Sequence, residues 1–131
     1  MSTEVVTAAL PKNFLRPCLL LLLREQPAHG YELLERLRVF GLDGSDPGGL
    51  YRALRVLEST GSVRSAWESS NTGPARRIYE LTRAGMEELH LSAKALAEGS
   101  DVLRTFLSRY EEFVALQAIR TAESAGSRRG G

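Results

Sequence analysis

The 131-residue chain has one cysteine, Cys18, and two histidines, His29 and His90. A lone thiol excludes a disulfide framework, and no metal-ligand spacing forms around so few soft donors, so no metal and no cofactor is expected. Long apolar runs are missing too. The strongest, Cys18 to Leu23, is six residues long, against the roughly 20 that a membrane helix needs. It suits a buried core helix instead. No basic-then-apolar signal opens the sequence, which makes the cytoplasm the expected compartment, with no membrane partner. A nucleophile beside a base, a glycine-rich phosphate loop and paired carboxylates are all wanting. Glu87-Glu88 and Glu111-Glu112 read as solvated faces, so catalytic residues are expected to be none. Strong net charge is also absent: the formal value is +1, and bulk electrostatics alone announces no nucleic acid.

The charge is unevenly spread, however. Residues 47–85 carry six arginines against three glutamates, whereas residues 86–118 carry three basic against six acidic side chains. A basic middle joined to an acidic C-terminal part suggests one phosphate-facing half and one half with another task.

Residues 1–10 lack turn chemistry and charge pattern and read as a loose arm. Lys12 to Glu25 reads as a helix with Asn13 as N-cap and Pro17 in its first turn, ended by Gln26-Pro27. A second helix is expected from Gly30 to Phe40, with Leu33, Leu34, Leu37 and Phe40 as its stripe. After a loop of Gly, Asp and Ser, a third runs from Gly48 to Thr60 and stops at Gly61, a C′ glycine. Then the period changes. Ser62–Ser69 and Arg76–Leu81 read as two strands of a hairpin around Ser70-Asn71-Thr72-Gly73-Pro74. Thr82 caps a long helix to about Ala118. Along it Met86, Leu89, Ala93, Leu96, Ser100, Leu103, Leu107, Tyr110, Val114 and Gln117 recur at alternating spacings of three and four. Gly99-Ser100-Asp101 either kinks or breaks this helix, with Ser100 capping a second piece, or lets it run on. Residues from 119 onward read as a disordered tail.

On a helical wheel, Leu50, Ala53, Leu54 and Leu57 gather on one side of the third helix, and Gly48, Arg52, Arg55 and Ser59 on the other. Two arginines among small residues fit a DNA major groove, where they reach guanine edges or phosphates. The same face also serves as a plain solvated surface. The hairpin adds Asn71, Thr72 and Gly73 at a neutral tip and Arg76-Arg77 at its base. That suits a wing along the phosphate backbone or in the minor groove, or an ordinary polar hairpin. Together, and in this order, the two features favour double-stranded DNA as partner. The fold class expected is α+β, mainly α: a winged helix-turn-helix domain over 11–82 and a C-terminal helix over 83–118.

Three segments then match one pattern: His29-Gly30-Tyr31-Glu32-Leu33, the run from Gly49-Leu50-Tyr51-Arg52 to Gly61, and Arg77-Ile78-Tyr79-Glu80-Leu81-Thr82-Arg83-Ala84-Gly85. Over residues 15–90 the chain resembles the PadR family. The resemblance implies a bacterial, dimeric transcriptional regulator, usually a repressor, that binds a palindromic operator and lets go on meeting a small molecule. It makes Tyr51, Arg52 and Arg55 DNA-contact candidates, with Ser45, Gly48 and Gly49 before them, and places Tyr31 close to phosphate. Tyr51 borders the apolar stripe and is equally open to a core role.

Two departures stand out. The position before Leu50-Tyr51 is usually Ser or Thr in the family and is Gly49 here, which leaves backbone N–H groups to meet a phosphate. The C-terminal helix also lacks the tryptophan that drug-binding members stack on, so no flat aromatic pore is expected. The single long helix is similar to that of the shorter-tailed members, in which it pairs with its mate and with the first helix. Leu89, Leu96, Leu103, Leu107, Tyr110 and Val114 are accordingly the dimerisation candidates, with packing back on its own domain as the alternative. Phe106, Tyr110 and Phe113 line either an effector pocket between subunits or plain core. An effector-independent repressor and a winged-helix interaction module are the rival functions.

Overall fold

The computed structural model describes residues 9–42, 46–69 and 73–129, with side chains to residue 126. Helix α1, Leu15–Glu25, opens later than Asn13 predicts. Asn13 adopts a left-handed φ of 59° and makes no cap; Phe14 stands at the N-cap position without a side-chain bond. Pro17 is tolerated because its missing N–H falls in the first turn, where no intrahelical acceptor exists. Cys18, Leu19, Leu20, Leu22 and Leu23 are buried, while Leu21 is 40% exposed, so α1 is enclosed on all sides but one.

Strand β1, Ala28–His29, leads directly into α2, Gly30–Arg36, which tightens into a 3-10 turn over Leu37–Phe40. Helix α3, Pro47–Ser59, is capped by Asp46, whose Oδ1 accepts from Gly49 N at 3.0 Å. Pro47 at the first helical position needs no acceptor. The helix ends at Gly61, where φ is +81°, the left-handed conformation that glycine adopts without steric cost.

Strands β2, Val63–Glu68, and β3, Arg76–Leu81, pair antiparallel from Val63↔Leu81 to Glu68↔Arg76. Ala28↔Tyr79 and His29↔Ile78 add β1 on the other side, giving the order β1-β3-β2. The third strand is absent from the sequence-based expectation because two residues carry no period. Alternation puts Val63, Tyr79 and Leu81 on the face turned to the core and Arg64, Ala66 and Glu80 on the other.

Helix α4, Arg83–Arg129, has Thr82 as its cap, Oγ1 accepting from Gly85 N at 3.1 Å. Two units divide between Ala93 and Lys94. The first holds the three-helix core, the sheet and the start of α4. Leu19, Leu20, Leu33, Leu50, Leu54, Leu57 and Val63 are its largest fully buried side chains, and Leu89 closes on them. With the α-helices, the hairpin and this element order, the fold is a winged helix-turn-helix, mainly α with a small antiparallel sheet.

The start of α4 is tied down by polar contacts. Glu88 takes a bidentate hold of Arg16, Oε2 accepting from Nε at 2.8 Å and Oε1 from Nη2 at 2.6 Å. Glu88 Oε1 also accepts from the buried Ser62 hydroxyl at 3.2 Å. The arginine holds the Glu88 carboxyl below its ordinary value, and the carboxylate raises that of Arg16 in turn. A Cβ on Gly85 would run into the Ser62 carbonyl oxygen, which is why the third motif closes on glycine.

The second unit is the remainder of α4. The helix is unbroken through Gly99, Ser100 and Asp101, without the kink or break at 99–101. Ser100 does not cap; its Oγ accepts from Arg104, and Thr105 Oγ1 bonds back to the Asp101 carbonyl, so both turns stay helical. The helix also continues past 118 to Arg129, through residues expected to be a disordered tail. Ala118, Ala122 and Ala125 carry good helix propensity without proline, and Thr121 Oγ1 bonds the Gln117 carbonyl. The arm over 1–8 lies outside the described residues.

Candidate nucleic-acid interface

The interface is built on α3. Leu50, Leu54 and Leu57 are buried, which turns Gly48, Arg52, Arg55 and Ser59 outward. Arg52 reaches back toward Asp46, with Nη2 3.9 Å from Oδ2, in a pair so exposed that water and salt weaken it. Gly49 departs from the expectation: its N–H donates to Asp46 and is not held open for an anion, and a Cβ there would meet that same carboxylate. Asp46 is thus a site residue that sequence reasoning passed over, although Asp-Pro ahead of an apolar stripe is a helix-start signal.

Tyr51 is placed between the core and the surface. It is 41% exposed, yet its ring fills the space beside Gly30; a Cβ on residue 30 would stand 2.5 Å from Tyr51 Cε1 and 2.7 Å from its hydroxyl. The start of α2 and the middle of α3 therefore meet through one glycine and one tyrosine.

Around Tyr31 a second group assembles. Arg76 Nη1 donates to the Tyr31 hydroxyl at 2.9 Å, and its guanidinium lies 5.4 Å from the ring centroid. The His29 ring stacks on Tyr31 itself, 5.6 Å between centroids and 10° between planes. His29 Nδ1 is 2.7 Å from Glu32 Oε1 and Nε2 is 3.1 Å from Glu68 Oε2. The His29 backbone N–H donates to Glu32 Oε1 at 2.9 Å, and this bond, reinforced by the ring, holds the Glu32 carboxyl below its ordinary range. The first motif is thus a clamp between α2 and the loop end of the hairpin, with Tyr31 and Arg76 exposed on it.

Arg77 is placed differently from Arg76. Its Nε donates to Ser65 Oγ at 2.7 Å, its Nη2 lies 3.5 Å from Glu58 Oε1 on α3, and its guanidinium stands 5.4 Å from the Trp67 ring centroid. Glu58 and Trp67 were not among the expected site residues. Gly73 is exposed at the hairpin end, while Ser45, Asn71 and Thr72 lie outside the described residues. Among the described residues no group of His, Cys, Asp and Glu is arranged to hold a metal ion, and no helix is long and apolar enough to cross a membrane.

On α4, Leu103, Phe106, Leu107, Tyr110, Phe113 and Val114 are all between 46% and 66% exposed. At 100° per residue they and Val102 span roughly 140° of the helix surface. This stripe is wider than the a/d seam expected, because Val102, Phe106 and Phe113 flank it on one side. Leu89 is already buried in the first unit, and so is spoken for within its own chain.

The Transcriptional regulator PadR-like family matches residues 19–91. Among solved structures, a PadR family transcriptional regulator from Eggerthella lenta is similar at 28% identity and a TM-score of 0.68, covering 79% of this chain and 90% of that one. A PadR-like transcription factor from Bacteroides fragilis is 27% identical with a TM-score of 0.64, covering 77% and 97%. Bacillus subtilis PadR in complex with operator DNA shares the fold at 24% identity and a TM-score of 0.55 over 61% of this chain, which spans 46% of that protein. No protein of curated function matches the sequence. The match over residues 19–91, more than half of the chain, decides the question: this protein belongs to the PadR-like family of transcriptional regulators.

Proposed function

We propose that the chain is a dimeric, sequence-specific repressor that binds a palindromic operator through α3 and the hairpin and is released by a small-molecule effector. The observation that carries the reading is the bare outer face of α3, where Arg52 and Arg55 stand exposed beside Gly48 while the opposite face is buried. Arginine forks of this kind bond the O6 and N7 acceptors of guanine. Tyr31 and Arg76 add a phenol and a guanidinium suited to phosphates, which fix register without reading sequence. The operator-bound Bacillus subtilis PadR, which shares the fold, supports the assignment of DNA as partner.

Dimerisation rests on α4. A wide apolar stripe left in water is unfavourable by about 25 cal/mol per Å², and a second copy of the same helix covers it symmetrically. A two-fold dimer would set the two α3 helices about 34 Å apart, one turn of DNA. Phe106, Tyr110 and Phe113 would then lie between subunits, where an apolar effector changes their packing and the spacing of the reading heads. In this scheme residues 83–129 are the assembly helix and the winged domain is the reading head.

Titration of the purified protein against the duplex upstream of its own gene, with a scrambled duplex alongside, tests the reading. Selective binding by an oligomer supports it. Equal affinity for both duplexes, with a genome-wide binding selection also yielding no site, would replace it with the interaction-module reading.

A further inference from the structure

Trp67 is the only tryptophan of the chain and is 67% exposed. Single exposed apolar side chains are ordinary, so its surroundings decide what it does. Its partner across the hairpin is Arg77, and the next pairs inward on the same face are Ser65↔Tyr79 and Val63↔Leu81. Val63 and Tyr79 are buried. Trp67 therefore prolongs the α3-facing side of the sheet beyond the point where the core ends. Arg77 is pinned there by Ser65 and by Glu58 of α3, and stacks on the indole. A long arginine side chain is thereby held in one place, and a flat apolar surface carries a cation on it.

We infer that Trp67, with Arg77 stacked on it, is a DNA-contacting element that packs on the sugar–phosphate backbone beside the groove entered by α3. The inference rests on the reading of α3 as the DNA-binding helix. A duplex backbone alternates apolar deoxyribose faces with phosphates. An indole covers the former, and the guanidinium stacked over its ring meets the latter. Charge favours this partner over a neutral or basic protein surface, and the adjoining α3 face with Arg52 and Arg55 favours DNA over an acidic one. Arg64 pairs with Glu80 across the strands and Arg77 with Glu58 of α3, so the positive sign here rests on Arg76, whose partner is the neutral Tyr31 hydroxyl, and on the exposed Arg55 of α3. A backbone contact adds affinity for any duplex and leaves the preference among sequences to Arg52 and Arg55.

The single indole makes the test direct. Tryptophan emission is followed while operator and scrambled duplexes are added, and affinities of Trp67→Ala and Trp67→Phe are measured by anisotropy of labelled DNA. Thermal melts confirm that both variants stay folded, as an exposed position allows. The expected result is quenching that saturates with binding. Trp67→Ala is expected to lose about 10-fold in affinity for both duplexes with their ratio unchanged, and Trp67→Phe less than about 3-fold. Unchanged emission at saturation, with Trp67→Ala binding as tightly as wild type, would overturn the inference. So would a loss confined to the operator, which would make Trp67 a base reader. Failure of the wild-type protein to bind either duplex would instead remove the reading of α3, and this inference with it.

Discussion

Tyr51 of α3 occupies the space that a side chain on Gly30 of α2 would need, within 2.5 Å of where a Cβ would stand. The glycine of the first motif and the tyrosine of the second are one contact. It sets how the exposed face of α3 sits relative to Tyr31, the next residue along α2. Gly30→Ala should displace the Tyr51 ring, cost about 1–3 kcal/mol in urea unfolding, and weaken operator binding. Tyr51→Ala combined with Gly30→Ala should recover part of the stability, because the clash is gone. Full stability in the single Gly30→Ala variant would show that the ring moves aside freely.

The reading face itself predicts that Arg52→Ala and Arg55→Ala each cost about 1–3 kcal/mol of operator affinity and relax selectivity. The double variant should bind operator and scrambled duplex alike while its oligomeric state is unchanged. Sedimentation and anisotropy measured on the same preparation separate the two effects. Wild-type affinity in the double variant would place the recognition face elsewhere.

Assembly should depend on the stripe of α4. Leu107→Glu with Val114→Glu puts two charges into the apolar surface and should yield a folded monomer by sedimentation. Operator affinity should then fall steeply, since one reading head binds without its mate. A variant that remains dimeric would assign the interface to other residues.

Arg16 and Glu88 predict a pH signature. The arginine lowers the Glu88 carboxyl below its ordinary 4.5, so the pair stabilises the fold fully above that value and loses its effect as pH falls through the lower folded value. Arg16→Ala or Glu88→Gln should cost about 1–2 kcal/mol at neutral pH. The difference from wild type should vanish in acid. Chemical denaturation at about pH 7 and about pH 3 tests this; an equal cost at both would mean that shape and not charge is what Glu88 supplies.

Cys18 should be inert. Burial pushes its thiol up to about 11, so at neutral pH little thiolate exists to react. A thiol reagent should leave the folded protein unlabelled and modify it on unfolding. Rapid labelling of the native protein would show that the core opens at α1.

Much of this architecture was legible in the sequence because it is periodic. The stripe Leu50–Leu54–Leu57 and the cap and C′ glycine chemistry of Thr82 and Gly61 located α3, the hairpin and α4, and the motifs located Tyr31, Arg52 and Arg55. What escaped is contact between elements. No local pattern says that Arg77 turns onto Glu58 while Arg76 turns onto Tyr31, because that depends on which face of the hairpin meets α3. Two-residue β1 carries no period at all. Gly99-Ser100-Asp101 was open to a break because glycine and N-cap chemistry favour one locally, yet the intact turns on either side outweigh about 1 kcal/mol of propensity.

The most direct measurement is salt-dependent binding of the wild-type protein to the duplex upstream of its own gene and to a scrambled duplex. The account predicts tight, selective binding to the first that weakens steeply as salt rises, because arginines displace counterions from phosphates. Affinity that is the same for both duplexes, or indifferent to salt, would contradict it.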